Sequence, residues 1–294
     1  MSVVVIGQIG RDLVLHTDGP PAAGESTTVL RRGELLGGKG ANQAVGLAQL
    51  GVPVALIGVV GDDTAGTSVL RQAEDDGIDV SGVARRGTTA LLIDIVGRPP
   101  ERMLVEDVPD TSLVQVADLD AAAPLWGAAD TVSIQLQQPP ATALEAARRA
   151  RHRGLRVVAD GVPAPDVRAD LLASTDVLRA DAKEAALIAG RAVSTVDDAA
   201  SLGHELLSCG PELVAIAVPD VGDLLVWDGD RELFEFADVD VVDPTGAGDA
   251  FVAGLIAALR GGAGPRQAGR RAAAAASSTV QRLGGRPDLT GLAS

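Results

Sequence analysis

Val3 to Ile6 is an unbroken apolar run closed by Gly7, and Val54 to Val60 is a second one. Runs of this length predict strands buried on both faces. Helical patterning is predicted over Ala41–Leu50, where Gly51 stops it, and over about Thr64 to Asp75. From Ala129 the alternation becomes regular. Strand-like runs at Thr131–Leu136, Arg156–Ala159, Asp176–Leu178 and Leu213–Val218 are separated by helical stretches at Thr142–Arg153, Ala182–Ala189 and Asp197–Ser208. An apolar-acidic run, Phe236–Val242, reads as one more strand ahead of the helical pattern Phe251–Arg260. The Ala-rich stretch Arg266–Leu283 reads as a last helix, ended by Gly284-Gly285. Such alternation predicts an α/β fold with a mostly parallel central sheet covered by helices on both faces.

Two segments break the rhythm. About residues 27–34 and 88–107 carry β-branched, alternating runs with no helix between Leu91–Val96 and Met103–Glu106, and Gly97-Arg98-Pro99-Pro100-Glu101 reads as a hairpin loop between them. Extra strands of this kind predict a small lid projecting from the main sheet. With no internal repeat and no interdomain linker, residues 1–294 read as a single domain plus that lid.

Composition narrows the class. The chain of 294 residues is 46% apolar but 2% aromatic, so its core is built from Val, Leu, Ile and Ala. A formal charge of −15 argues against nucleic acid or an anionic membrane as the main partner. The one cysteine, Cys209, permits no internal disulfide and suits a reducing cytoplasm. Met1 to Gly10 has no basic region of the signal-peptide type, no run approaches membrane-span length, and one Cys with three His makes a zinc site built from them a poor reading.

The candidate chemistry lies in two glycine-rich helix entrances. In Asp243-Pro244-Thr245-Gly246-Ala247-Gly248-Asp249-Ala250-Phe251, the Gly-x-Gly turn leaves backbone N–H groups free at the positive end of a helix, which is a site for an anion. Asp249, directly after these donors, would repel a bound phosphate unless it takes a proton from a hydroxyl attacking that phosphate. Donors beside a base point to phosphoryl transfer. A tight turn followed by an ordinary first-turn acid is the plainer alternative. In Gly37-Gly38-Lys39-Gly40-Ala41-Asn42-Gln43-Ala44 the donors are Lys39, Asn42 and the backbone around Gly38 and Gly40, groups that suit a polyhydroxyl ligand. The P-loop spacing is absent. Lys39 and Lys183 are the chain's two lysines, and both fall in motif regions.

Together these residues resemble the ribokinase-like (PfkB) family of carbohydrate kinases: Gly37–Ala44 is similar to its N-terminal signature, most of all to that of the ribokinase branch, and Asp243–Phe251 to its C-terminal one. The resemblance runs from about Val3 to about Pro287. It implies an ATP-dependent kinase acting on a primary hydroxyl of a pentose-like sugar, ribose first among them, with Mg²⁺ and with K⁺ as a further activator. It implies Asp249 as the catalytic base and the N–H groups of Gly246, Ala247 and Gly248 as the anion hole. Asp12, Gly38, Lys39 and Asn42 would contact the sugar. Glu184, in Asp181-Ala182-Lys183-Glu184, would organise Mg²⁺-bound water, and Asp243 with the carbonyl of Thr245 would form part of a monovalent-cation site. The open strand edges of the lid suggest a homodimer through it.

Four positions depart from the family pattern. Gly10 stands in place of a sugar-contacting asparagine and Gln137 in place of a glutamate, where an amide both donates and accepts. Asp181 replaces an asparagine near the nucleotide phosphates. Ala217-Val218-Pro219-Asp220-Val221-Gly222 stands where the family has Thr-x-Gly-x-x-Gly, so Gly222 alone of that nucleotide loop remains. Two other readings stay open: a kinase of this fold acting on another sugar, sugar acid, sugar phosphate or nucleoside, and a non-catalytic binder on a kinase scaffold. A dinucleotide-binding dehydrogenase is weaker, because Gly7-Gln8-Ile9-Gly10 lacks the required glycine spacing.

Overall fold

The computed structural model describes residues 1–19, 21–97 and 102–293. Its strands are β1 (Ser2–Ile6), β2 (Gly10–Thr17), β3 (Val29–Gly37), β4 (Val54–Val60), β5 (Asp79–Arg85), β6 (Ala90–Val96), β7 (Arg102–Asp107), β8 (Ala129–Gln135), β9 (Arg156–Asp160), β10 (Val177–Ala180), β11 (Leu213–Val218), β12 (Gly222–Trp227) and β13 (Asp230–Glu235). Its helices are α1 (Lys39–Gln49), α2 (Thr64–Asp75), α3 (Val116–Ala121), α4 (Ala123–Ala128), α5 (Pro140–His152), α6 (Arg168–Ala173), α7 (Ala182–Ala189), α8 (Val196–Leu207), α9 (Ala247–Arg260) and α10 (Pro265–Thr279).

Side chains alternate across a strand, and both sides of β1 are apolar because both are covered. Val3 and Val5 pack in one cluster with side chains of α1, α2, α9 and α10. Val4 and Ile6 pack in another with Leu119, Trp126 and the Ala143–Ala146–Ala150 face of α5. A third cluster extends that second layer through α7 and α8 over β10 to β12. The strands between them form one sheet in the order β13-β12-β11-β10-β9-β8-β1-β4-β5. It is parallel from β11 to β5, and β12 and β13 add an antiparallel edge. The strand order reverses beside β1: the chain builds β4 and β5 on one side and β8 to β11 on the other. In open α/β sheets the crevice at that point, outside the carboxyl ends of the strands, is where ligands bind.

A second, four-stranded sheet has the order β3-β2-β6-β7, with β2 and β6 parallel and both outer pairs antiparallel. It holds the two predicted rhythm-breaking segments, and its β3 runs straight into α1. That helix enters at very close range: a Cβ on Gly40 would fall 2.6 Å from the carbonyl carbon of Gly7. The turn after β1 and the start of α1 are therefore in backbone contact, which brings the glycine-rich entrance to the carboxyl end of β1.

Phe236–Val242 does not form the predicted strand. β13 ends at Glu235, paired with Gly222, and beyond that residue β12 has no more chain to offer a partner. The run instead crosses to α10, where the N–H groups of Val242 and Asp243 both donate to Val280 O at 2.8 and 3.1 Å. The last helix accordingly stops at Thr279 rather than Leu283, and the N–H of Gly284 turns away to Asp243 Oδ2 at 2.9 Å. Strands β2, β5, β12 and β13 were not read from the sequence pattern; β2 and β13 are interrupted by charged residues. The predicted hairpin loop at Gly97–Glu101 falls mostly outside the described residues, but the strands flanking it pair antiparallel, Val96 opposite Arg102.

Gly40→Ala is expected to lower the unfolding free energy by about 1–3 kcal/mol, because the added methyl meets backbone that cannot yield; the shift of the urea midpoint measures it.

Candidate active site

The turn Asp243–Gly246 is built by its own first side chain. Asp243 Oδ1 accepts from the N–H of Thr245 at 2.9 Å and its Oγ1 at 2.5 Å, while Oδ2 takes the N–H of Gly284. Gly246 sits at φ +75, and a Cβ there would lie 2.0 Å from Gly285 O, so no other residue fits. This turn delivers the chain into α9. Among the described residues, the N–H groups of Gly246, Gly248 and Asp249 find no acceptor, whereas that of Ala247 reaches Pro244 O at 3.4 Å. Free donors therefore gather at a helix start as the pattern predicts, with the amide of Asp249 rather than that of Ala247 as the third. Thr245 O accepts no hydrogen bond among the described residues, while both carboxylate oxygens of Asp243 already accept, Oδ1 from Thr245 and Oδ2 from Gly284.

Asp249, in the first turn of α9, is buried. Its Oδ2 accepts from Asn42 Nδ2 at 3.2 Å and its Oδ1 from Gln43 Nε2 at 3.4 Å. The same Gln43 nitrogen donates to Asp160 Oδ2 at 3.0 Å, and Ser133 Oγ donates to Gln43 Oε1 at 2.8 Å, which fixes which way the amide faces. Burial first, then the charge of Asp160, pushes the Asp249 carboxyl up to about 7, against the opposing pull of Lys39, Asn42 and Arg179. A base poised near neutrality suits proton abstraction. The sequence pattern assigns no role to Gln43, although it lies in the first glycine-rich motif, and the strand it predicts ends at Ala159, one residue short of Asp160. Both are fully buried, and a polar residue in an otherwise apolar strand end was the signal available for Asp160.

Asp12 lies on β2 with its carboxylate stacked over Gly37: a Cβ on that glycine would overlap it. Burial, followed by the charges of Asp94 and Asp249, pushes Asp12 up to about 7. Arg102 Nε donates to Asp94 Oδ1 at 2.7 Å, and burial raises Asp94 despite that partner. Asp12 Oδ1 and Asn42 Oδ1 are buried acceptors with no partner among the described residues. Gly38, at φ +90, caps α1 and would place a Cβ 2.8 Å from Gln8 O. A Cβ on Gly10 would meet the Leu92 Cδ1 methyl at 2.6 Å and Ala90 O at 3.1 Å, so a larger residue there requires Leu92 to turn aside. Gln137 is exposed on the turn after β8. The buried amides are its neighbours Gln135 and Gln138, joined at 3.3 Å, with Gln138 accepting from the N–H of Val114 at 2.8 Å.

Lys39 reaches the start of α7. Its Nζ bonds Glu184 Oε1 at 2.9 Å, and although burial works against its charge, Asp160, Glu184 and Asp249 together hold it more firmly protonated than a free lysine. Glu184 and Asp181 form a reciprocal capping box at the start of α7, each bond 2.8 Å long. Among the described residues no cluster of three or more His, Cys, Asp or Glu is placed to hold a metal ion. A Mg²⁺ here would keep its waters and lean on a ligand's phosphates, the usual habit of that ion, with Glu184 and Asp181 at its edge.

Beside Gly248 a cavity of about 740 Å³ opens, lined by Arg179, Asp223, Ala247 and all three phenylalanines of the chain, Phe234, Phe236 and Phe251. The stretch Ala217–Gly222 is a tight hairpin turn: Val218 pairs with Gly222, Val221 N–H bonds Val218 O at 3.2 Å, and Asp220 sits at φ 58. Gly222 is required by packing, because a Cβ there would lie 2.2 Å from Phe234 O. No helix among the described residues is long and apolar enough to cross a membrane.

Residues 1–290 match the family model described as pfkB family carbohydrate kinase. The ribokinase of Haemophilus influenzae is 26% identical over 291 residues, covering 98% of this chain and 95% of the relative. An ATP-dependent ribose-1-phosphate kinase of Halopiger xanaduensis is 30% identical over 259 residues, 87% of this chain and 83% of the relative. The structure of Arabidopsis thaliana ribokinase complexed with ribose and ATP superposes with a TM-score of 0.81 at 25% identity, covering 99% of this chain and 97% of that one.

Asp12 and Asp249 titrate near pH 7 in the folded chain against 3.8 unfolded, so between those values the folded state binds the extra protons. Their contribution to stability is full below pH 3.8 and lost as the pH rises through 7. Asp12→Asn is therefore expected to lose less stability than the unmodified chain between pH 5 and pH 8, by on the order of 1 kcal/mol or more, in urea titrations at the two pH values.

Proposed function

The chain belongs to the pfkB family of carbohydrate kinases, and from that premise we propose that it transfers the γ-phosphoryl group of ATP to a primary hydroxyl of a pentose-like sugar, ribose being the best single acceptor. The observation that carries the reading is the pair of unpartnered buried acceptors, Asp12 Oδ1 and Asn42 Oδ1, beside the buried base Asp249, which Asn42 hydrogen-bonds and whose charge acts on Asp12. Acceptors without donors, closed off from water, call for a ligand that donates several hydrogen bonds, which is what a sugar's hydroxyls do. In this reading Asp12, Asn42 and the backbone at Gly38 hold the sugar, with Gln137 on the turn above. Asp249 takes the proton of the primary hydroxyl, whose oxygen forms a bond to the γ-phosphorus as the bond to the β,γ-bridging oxygen breaks and ADP leaves. The free N–H groups at Gly246, Gly248 and Asp249 hold the charge on the transferred group. The Ser133–Gln43 pair keeps Asp249 aimed.

Support for a nucleotide donor comes from the cavity that opens beside Gly248 and collects every phenyl ring of the chain. Magnesium at Glu184 and Asp181 would supply charge neutralisation for the phosphates. The free carbonyl of Thr245, in the turn held by Asp243, suits a monovalent cation such as K⁺. A protein that consumes ATP works where ATP is made available, which supports a cytoplasmic location. The four-stranded sheet reads as a lid of the same domain that excludes water from the transfer. Its two edge strands carry exposed Val29 and Leu30 on β3 and Met103, Leu104 and Val105 on β7, supporting a homodimer through the lid.

A second reading keeps the chemistry and gives the acceptor an anionic group. It rests on Arg102, whose charge acts on the Asp12 carboxyl, and on the relative named as a ribose-1-phosphate kinase.

ADP release with Mg-ATP and K⁺ is measured against pentoses, hexoses, nucleosides and sugar phosphates, and turnover is expected on ribose. Turnover on phosphorylated acceptors alone would select the second reading, and silence across the panel from folded protein would leave a non-catalytic binder. Asp249→Asn is expected to keep nucleotide binding while turnover falls about 10²–10⁴-fold; near-normal turnover removes the base assignment. Light scattering is expected to give twice the monomer mass, and Leu30→Lys to halve it; a monomeric unmodified chain rules out the dimer.

A further inference from the structure

Arg179 stands at the carboxyl end of β10, 7% exposed, and is poorly satisfied for a guanidinium so deep in the fold. Among the described residues its side chain makes one hydrogen bond, from Nη1 to Asp160 Oδ1 at 3.2 Å, with Glu184 Oε2 at 4.0 Å. Its Nε is buried with no acceptor. A guanidinium carries five N–H donors, and leaving them unmade away from water is costly.

Its accessible edge faces one place. Arg179 lines the cavity that contains the three phenylalanines, and its guanidinium rests on Gly248, where a Cβ would fall 2.6 Å from Nη2 and 2.8 Å from Nη1. The group therefore lies against the free N–H donors of the turn before α9. Burial opposes its charge, but the carboxylates of Asp160, Asp223, Glu184 and Asp181 outweigh burial and keep it protonated. The hairpin at Ala217–Gly222 has little to give an anion on the same side: Pro219 has no N–H, that of Val221 is used inside the turn, and Asp220 is acidic.

We propose that Arg179 is a contact of the donor's terminal phosphates, supplying from the end of β10 the positive charge and the donors that the Ala217–Gly222 hairpin lacks. This rests on the reading of the chain as an ATP-dependent kinase and assigns its donor specificity to a residue outside both glycine-rich motifs. The planar fork can take a phosphate with two N–H groups while a third stays on Asp160. Gly248 is then doubly constrained, by the helix start and by the guanidinium against its Cα.

The test is calorimetric titration of the full chain with adenosine, ADP and ATP in the presence of Mg²⁺ and without acceptor. The unmodified chain is expected to bind ATP more than tenfold tighter than adenosine. Arg179→Met is expected to lose about ten- to a hundredfold in ATP affinity with adenosine affinity unchanged, and Arg179→Lys to fall between. Because Met at this position strands Asp160, the double variant Arg179→Met with Asp160→Asn provides the same comparison with both charges removed. In steady-state assays of Arg179→Lys, KM for ATP is expected to rise while KM for the sugar stays. An ATP-to-adenosine ratio kept by either Met variant overturns the role of Arg179 and leaves the kinase reading standing. An unmodified chain that binds adenosine and ATP equally overturns both.

Discussion

Asp160 and Asp249, both buried, come within hydrogen-bonding distance of a single amide nitrogen, Gln43 Nε2. Like charges so placed repel strongly, since little solvent screens them. The surroundings answer that repulsion in two ways. Arg179 Nη1 donates to the far oxygen of Asp160 at 3.2 Å. Asp249 is left with neutral amide partners and the more distant field of Lys39, and its proton affinity rises in consequence. One carboxylate is paired with a guanidinium and the other is left as a base near neutrality, a division of labour set by environment alone.

The fold makes this possible by bringing strand ends and helix starts to one edge of the sheet. β8, β9 and β10 deliver Gln135, Asp160 and Arg179 at their carboxyl ends, while α1 and α9 deliver Lys39, Asn42, Gln43 and Asp249 in their first turns. The contact of Gly40 with Gly7 sets how far α1 advances, and the Asp243 turn sets the start of α9. The smaller sheet contributes Asp12 from β2, whose burial depends on the missing side chain at Gly37. No single element holds the site; it exists where these ends converge.

Much of this was legible in the residues. The long apolar runs and the two glycine-rich entrances identify the parallel sheet, the helix starts and Asp249, because burial on both faces and backbone turns leave strong local signatures. Asp160 and Arg179 were not legible, since their importance comes from the register that sets β9 beside β10 and both beside α1 and α9. The strand read at Phe236–Val242 failed for a related reason: its apolar residues face a cavity and α10 rather than a neighbouring strand. Gly222 looked like the survivor of a phosphate loop, yet the carbonyl of Phe234 already demands a glycine there. Short-range pattern records what a residue can do locally, whereas Gln43 and Asp160, which bond each other, stand 117 positions apart.

The amide of Gln43 has a consequence for how such a chain can change over generations. Ser133, Gln43, Asp160 and Asp249 are linked donor to acceptor across four elements, so replacing any one strands a polar group in the interior. They can only be inherited as a block. The hairpin at Ala217–Gly222 answers to packing alone at Gly222 and is otherwise free to drift, so the molecule can lose a ligand loop on its rim while its centre stays locked.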